Sequence, residues 1–315
     1  MRIIFMGTPE IALPSLERIS SSSYTIEAVF TQPDRASGRG RTITQPPVKT
    51  WASERGMKVF QPESLKAEGL ERIFHEIAPD CCIAVAYGLI LPKKILDIPN
   101  RGCINLHFSL LPKFRGAAPV NWALVRGETV TGVTTFLMNE KMDEGDIFLQ
   151  EKIGILEGER ADLLLKRLSE IGSHLLIKTL DLLERRELKA IPQDHTQATY
   201  APIIKKEDGR IDWKEDAFVI SCMIRGFYPW PGAYSVLNGR SVRLVEACEH
   251  PVEVPESASL ECGTVVSCKS GTIKVLCGQK TVLSIKMIQP EGRKEMTAQA
   301  AVNGRYVKAG DRFGS

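Results

Sequence analysis

Residues 102–119 read GCINLHFSLLPKFRGAAP. Ile104 and Leu106 alternate with Asn105 and His107, so on a strand the two polar side chains share one face. A loop rich in Pro and Gly follows at once. An apolar run closed by such a loop reads as a buried strand. Open α/β sheets take their ligands outside the carboxyl ends of parallel strands. The stretch therefore predicts a type of sheet and a place for a site on it.

Upstream, RIIFMG (2–7), IEAVFT (26–31), KVFQ (58–61) and CCIAVA (81–86) are further short apolar runs. PSLERI, PVKTWASER and SLKAEGLERIFHEI between them have helical periodicity. Near-continuous apolar strands separated by helices predict a Rossmann-like, doubly wound, mostly parallel sheet with helices on both faces. Downstream, GVTTFLM (132–138) and GDIFLQEKIGI (145–155) form a later pair, expected to be antiparallel. Residues 161–187 repeat apolar side chains at helical spacing and predict one long amphipathic helix.

The pattern then changes. Residues 190–208 are polar and without sustained periodicity, which predicts a linker. Beyond them come one helical stretch, KEDAFVISCMIRGF, and short strands with turn signals at Asn238–Gly239 and Ser270–Gly271. Several short strands in about 100 residues predict a small OB-like β-barrel. The expected division is a first domain at 1–189, a linker at 190–208 and a second domain at 209–315.

A chain of 315 residues is long enough for two such domains. With 43% hydrophobic and 25% charged residues it has the composition of a soluble globular protein. Its net charge of +3 is too mild to demand a nucleic-acid partner, so the distribution of charge carries the argument. The eight cysteines form no CxxC pair and most lie in strand-like runs, the pattern of reduced core residues in a cytoplasmic protein. The histidines show no metal-ligand spacing, so no metal is expected. The chain opens directly on strand-like MRIIFMG with no leader pattern. No apolar run approaches the roughly 20 residues of a membrane span.

The turn after the first strand, MGTPE, has Gly7 but no G-x-G-x-x-G, which argues against a dinucleotide. An acidic loop, MDEGDIF (142–148), lies between the two later strands and carries Asp143 and Asp146. A carboxylate beside an imidazole favours its charged form and fixes its tautomer. Asn, His and Asp without an evident nucleophile point to acyl transfer in which the substrate brings the nucleophile and the amide and ring stabilise an oxyanion. Ser109 lacks a G-x-S-x-G elbow, which disfavours a serine hydrolase.

The N-x-H followed by SLLPKFRG, with MDEGDI downstream, resembles the 10-formyltetrahydrofolate-dependent formyltransferases. FTQPDRASGRGR, VAYGLILP, GRIDW and YPWPGAY extend the likeness over essentially the whole chain, toward the members that formylate methionyl initiator tRNA. The resemblance implies 10-formyltetrahydrofolate as co-substrate, with no metal, and Asn105, His107 and Asp143 as the catalytic set. It implies a folate pocket lined by Val85, Tyr87, Gly88, Leu89 and Ile90, with Ser109, Leu110, Leu111 and Pro112 as another wall. The family's habit implies a monomer. Phe108 departs from the pattern, where a small residue is common.

The stretch 31–49, TQPDRASGRGRTITQPPVK, sets Arg35, Arg39, Arg41 and Lys49 against Asp34 alone. Arginine suits phosphate contacts and glycines permit close backbone approach. The resemblance implies that this loop enters the acceptor stem, with Arg39 as its key contact. The linker pair Lys205–Lys206 is expected to add phosphate contacts. From Lys269 onward nine basic residues stand against three acidic ones, which suits an RNA backbone. Three rivals remain: a formyltransferase acting on an amino-sugar nucleotide, a formyltetrahydrofolate hydrolase or dehydrogenase module, and a non-catalytic RNA-binding protein. The arginine-rich loop speaks against the first two, and the complete Asn–His–Asp set against the last.

Overall fold

The structure is a computed structural model, described here for residues 1–37, 42–67, 69–250 and 260–314. Two compact units divide it: residues up to Pro119 with Val130–Gly154 and Leu165–Ala201, and Val120–Thr129 with Ile155–Leu164 and the chain from Pro202 onward.

The first unit is built on seven strands: β1 (Arg2–Gly7), β2 (Thr25–Phe30), β3 (Val59–Phe60), β4 (Cys81–Val85), β5 (Cys103–His107), β6 (Val130–Leu137) and β7 (Ile147–Gly154). They lie in the order β7-β6-β5-β4-β1-β2-β3. The first five are parallel, and β6 and β7 are antiparallel to their neighbours. Every residue of β4 is buried, as a strand covered on both faces requires. From β1 the chain runs outward through β2 and β3 on one side and through β4 and β5 on the other. The switch point is therefore at the carboxyl ends of β1 and β4, where Gly7 pairs with Val85. Ala84 of β4 pairs with Asn105 of β5, one strand further along.

Helix α2 (Ala161–Glu184) covers the face that carries Leu106. A Cβ on Gly172 would stand 2.8 Å from Leu106 Cδ2, so the glycine lets the helix lie directly on β5. Asn105 and His107 consequently look to the opposite face. That face carries Cys82, Ala84 and Cys103, packed with Leu70, Phe74 and Ile77 of α1 (Leu70–Ile77). The helix expected from residue 64 begins only at Leu70, because Gly69 takes a left-handed φ of 83° at its N-cap.

Residues 190–201, expected as linker, pack into the first unit. Ile191 exchanges two backbone hydrogen bonds with Ile147, Gln193 is buried, and Tyr200–Ala201 pair in parallel with Arg115–Gly116. Polar composition concealed this, because the segment is held by hydrogen bonds and carries no apolar periodicity.

In the second unit α3 (Ala217–Gly226) is capped by Asp216. It packs on antiparallel strands β8 (Ala233–Leu237), β9 (Arg240–His250), β10 (Val265–Lys269), β11 (Thr272–Leu276) and β12 (Val282–Pro290), ordered β8-β9-β12-β11-β10. Asn238–Gly239 and Ser270–Gly271 turn two hairpins, all four residues at positive φ, as type I′ turns demand. Bridges Leu237↔Phe313 and Thr264↔Arg312 connect the two edge strands through one terminal segment, so the sheet curls into the expected small barrel. All eight cysteines are free, and five are buried. Among the described residues no helix is long and apolar enough to cross a membrane, and no group of His, Cys, Asp and Glu is arranged to hold a metal ion.

Candidate active site

His107 ends β5, with Nε2 at 2.9 Å from the carbonyl of Phe114. Nδ1 faces Asp143 Oδ2 at 3.8 Å. The ring thus lies between two acceptors, and at the longer separation Nδ1 makes no hydrogen bond among the described residues. Phe136 closes the ring's flank edge-on, its centroid 6.5 Å away. Asn105 is half-buried on the same face, and its amide has no hydrogen-bond partner among the described residues.

Asp143 is held from two sides. The Gly116 N–H donates to its Oδ2 at 2.8 Å. Its backbone adopts φ 55°, which costs a non-glycine residue roughly 1–2 kcal/mol. Gln193 Nε2 donates to the carbonyls of Asp143 and Gly145 at 2.9 and 2.7 Å. The Oε1 of the same amide accepts from Arg115 Nε and Nη2 at 3.1 and 2.7 Å. Arg115 is 2% exposed. It also reaches His195 Nδ1 at 3.0 Å and Glu144 at 3.7 Å. Gly116 admits no side chain, since a Cβ there would stand 2.5 Å from the Ala201 carbonyl.

The SLLP loop is tied down from beneath. Thr134 Oγ1 donates to the Ser109 carbonyl and accepts from the Leu111 N–H. Gln150 Nε2 donates to the Leu111 carbonyl at 2.8 Å. The Ser109 hydroxyl donates to the Lys113 carbonyl at 2.6 Å and is spent there. Ser109 and Leu111 are buried, and Leu110 and Pro112 are half-buried.

At the switch point the Tyr87 carbonyl accepts from Thr8 Oγ1 and Gln32 Nε2 at 2.9 and 3.0 Å. Gly88 is at φ 81°, and a Cβ there would strike the Gln32 amide. Val85 and Tyr87 are buried, so they support the loop from below. Leu89 is half-buried, while Gly88 is exposed and Ile90 is 69% exposed. The Tyr87 hydroxyl is buried without a partner, and burial holds it protonated well above the usual tyrosine range. The backbone groups of Leu89 and Ile90 make no hydrogen bond among the described residues. An exposed apolar side chain thus stands beside unpaired backbone donors and acceptors, which can take a flat ligand with a hydrogen-bonding edge.

Of the basic loop, Arg35 is exposed and pairs with Thr44 across a short antiparallel ladder. Arg39 and Arg41 lie outside the described residues. Lys49 is engaged with both Asp34 oxygens at 2.8 and 2.6 Å. Gln61 and Lys49, by their hydrogen bonds, hold the Asp34 carboxyl below its ordinary range. Lys205 and Lys206 are exposed in the second unit. Sequence reasoning missed Arg115, Gln193 and His195. Arg115 stood inside the SLLPKFRG motif and was passed over, and the other two fell in the supposed linker.

The family described as Formyl transferase matches residues 1–180, and its C-terminal domain matches residues 203–306. The chain is 42% identical over 314 residues to the methionyl-tRNA formyltransferase of Alkaliphilus oremlandii, covering 100% of both. Among solved structures it is similar to HypX from Aquifex aeolicus in complex with tetrahydrofolic acid (TM-score 0.61, 18% identity), covering 98% of this chain and 48% of that one. It is also similar to WlaRD, a sugar 3N-formyl transferase crystallised with dTDP and 5-N-formyl-THF (TM-score 0.67, 16% identity, 93% and 99% covered). At those identities the two structures bear on the fold alone.

Proposed function

The chain belongs to the formyl transferase family, and from that premise we propose that it transfers the formyl group of 10-formyltetrahydrofolate to the free amino group of methionyl initiator tRNA. The observation that carries this reading is the pair of open donors on one face of β5. The unpartnered Asn105 amide and the His107 Nδ1, which makes no hydrogen bond among the described residues, stand beside the switch-point loop.

In the reaction the amine nitrogen forms a bond to the formyl carbon, and the carbonyl oxygen becomes an oxyanion. Asn105 and the Nδ1–H of His107 donate to that oxygen. A ring that donates from both nitrogens is an imidazolium, and the Asp143 carboxylate stands where it balances that charge. Collapse of the intermediate breaks the bond to N10 of the folate. The amine gives up a proton and N10 takes one up, with Asp143 relaying it through water. Leu89 and Ile90 present the edge and face for the pterin, over the wall formed by Leu110 and Pro112. Arg35, Arg39, Arg41, Lys205 and Lys206 hold the tRNA by its phosphates.

The deciding experiment follows labelled formyl from the folate to three acceptors: methionyl-tRNA, an amino-sugar nucleotide and water. Transfer to methionyl-tRNA alone is expected. Preferential transfer to the nucleotide sugar, or release as formate, overturns the reading of the acceptor. The protein is expected to work as a monomer in the cytoplasm.

A further inference from the structure

Gln193 uses every hydrogen-bonding capacity an amide has. Two acceptor sites take the Arg115 guanidinium, and two donor hydrogens go to the carbonyls of Asp143 and Gly145. The side chain is 6% exposed. The two carbonyls flank Glu144, in a turn where Asp143 has a left-handed φ. A Cβ on Gly145 would lie 1.7 Å from the Leu137 carbonyl, so the turn is pressed against β6. The carboxylate of Asp143 is itself fixed by the N–H of Gly116, the residue after Arg115. Backbone and side chain of Asp143 are therefore oriented from one cluster, and Gln193 is its hub.

We propose that Gln193 is a positioning residue: it holds the strained turn so that the Asp143 carboxylate faces His107 Nδ1. The segment after the long helix is then part of the catalytic apparatus. The proposal rests on the reading of Asp143 as a participant in formyl transfer. Wild-type transfer tests that reading, and the comparison of variants with wild type tests this one.

Gln193→Glu separates structure from positioning. The carboxylate still accepts from Arg115, as a charge-assisted pair, so the fold keeps its buried guanidinium satisfied. It cannot donate to the Asp143 and Gly145 carbonyls, and it repels them. Misplacement of a reacting group by about 1 Å costs up to ~10²-fold in rate. The full-length variant should therefore lose roughly 10-fold to 10²-fold in kcat, with KM for folate and for methionyl-tRNA close to wild type and a melting temperature lowered by the two carbonyls it leaves unsatisfied. In an Asp143→Ala background the same substitution should change kcat very little, because its effect passes through the carboxylate that is gone. Gln193→Met, which keeps the length and removes all four bonds, should lose at least as much kcat as Gln193→Glu. A folded Gln193→Glu with wild-type kcat overturns the proposal. So do kcat losses that simply add to that of Asp143→Ala, and a Gln193→Met that retains wild-type kcat.

Discussion

Truncating Asn105 to Ala should separate catalysis from stability more cleanly than any other change at the site. The Asn105 amide has no hydrogen-bond partner among the described residues, so its removal orphans no described group. What remains is the lost packing of a half-buried side chain, on the order of 1 kcal/mol or less. That corresponds to a melting shift of at most roughly 2–4 °C for a unit of this size. Loss of one oxyanion donor, in contrast, costs on the order of 10²–10³ in kcat, or about 2.7–4 kcal/mol of transition-state stabilisation. His107→Ala provides the control. It also removes a donor, but it deletes a buried ring that bonds the Phe114 carbonyl at 2.9 Å and packs edge-on against Phe136, an additional penalty of about 0.5–3 kcal/mol. Both variants should lose activity, and only the second should lose several degrees of melting temperature. Steady-state kinetics with methionyl-tRNA, folate binding by equilibrium titration and thermal melts on the same preparations supply the comparison. If folded Asn105→Ala turns over near the wild-type rate, the oxyanion role is wrong. If its melting temperature falls as far as that of His107→Ala, the amide has a structural partner and the stability argument is wrong.

Burial pushes the Cys277 thiol up to about 12 and raises Cys81 and Cys82 as well. Unfolded thiols ionise near ~8.5, so above that pH the unfolded chain has shed protons the fold retains, and stability must fall as pH rises. Urea midpoints should hold to about pH 8 and decline beyond it, and a rising midpoint at pH 9.5 would contradict the burial of these groups. The exposed Cys248 should react with a thiol reagent in the native protein, and the five buried thiols only on unfolding. Replacing Lys205 and Lys206 together by Ala should weaken methionyl-tRNA binding and flatten the slope of log K against log salt by about two; an unchanged slope removes them from the phosphate contacts. A fragment ending at Ala201 should melt several degrees above one ending at Lys189, because only the longer piece contains Ile191, Gln193, Thr199 and Ala201, which bond to the rest of its unit. Equal melting temperatures would mean that those bonds contribute nothing.

The sheet was legible because its signal is local. Strands such as Arg2–Gly7 and Cys81–Val85 are buried on both faces, and that environment writes a continuous apolar run into the sequence. The two hairpins were equally readable, since Asn-Gly and Ser-Gly carry the positive φ values that the turns need. The helix expected from residue 64 failed at its start for a matching reason. Its periodicity was real, but one glycine at left-handed φ outweighed it.

The site was legible only where its residues share an element. Asn105 and His107 announce themselves because the strand period puts both on one face, and the loop after them marks the strand's end. Gln193 carries no such mark. It is one polar residue in a polar stretch, and its meaning comes from convergence with Arg115 and the Asp143 turn, 78 and 50 residues away in the chain. Composition treats a buried, fully bonded amide and a solvated one alike, because both are simply Gln. Their difference is energetic: a buried amide that loses its partners is left unsatisfied at about 1–3 kcal/mol, whereas a solvated one loses nothing. Polar residues that bind a catalytic loop to a distant segment are therefore the class that periodicity arguments pass over. They are found by asking where each buried donor and acceptor of that loop is satisfied.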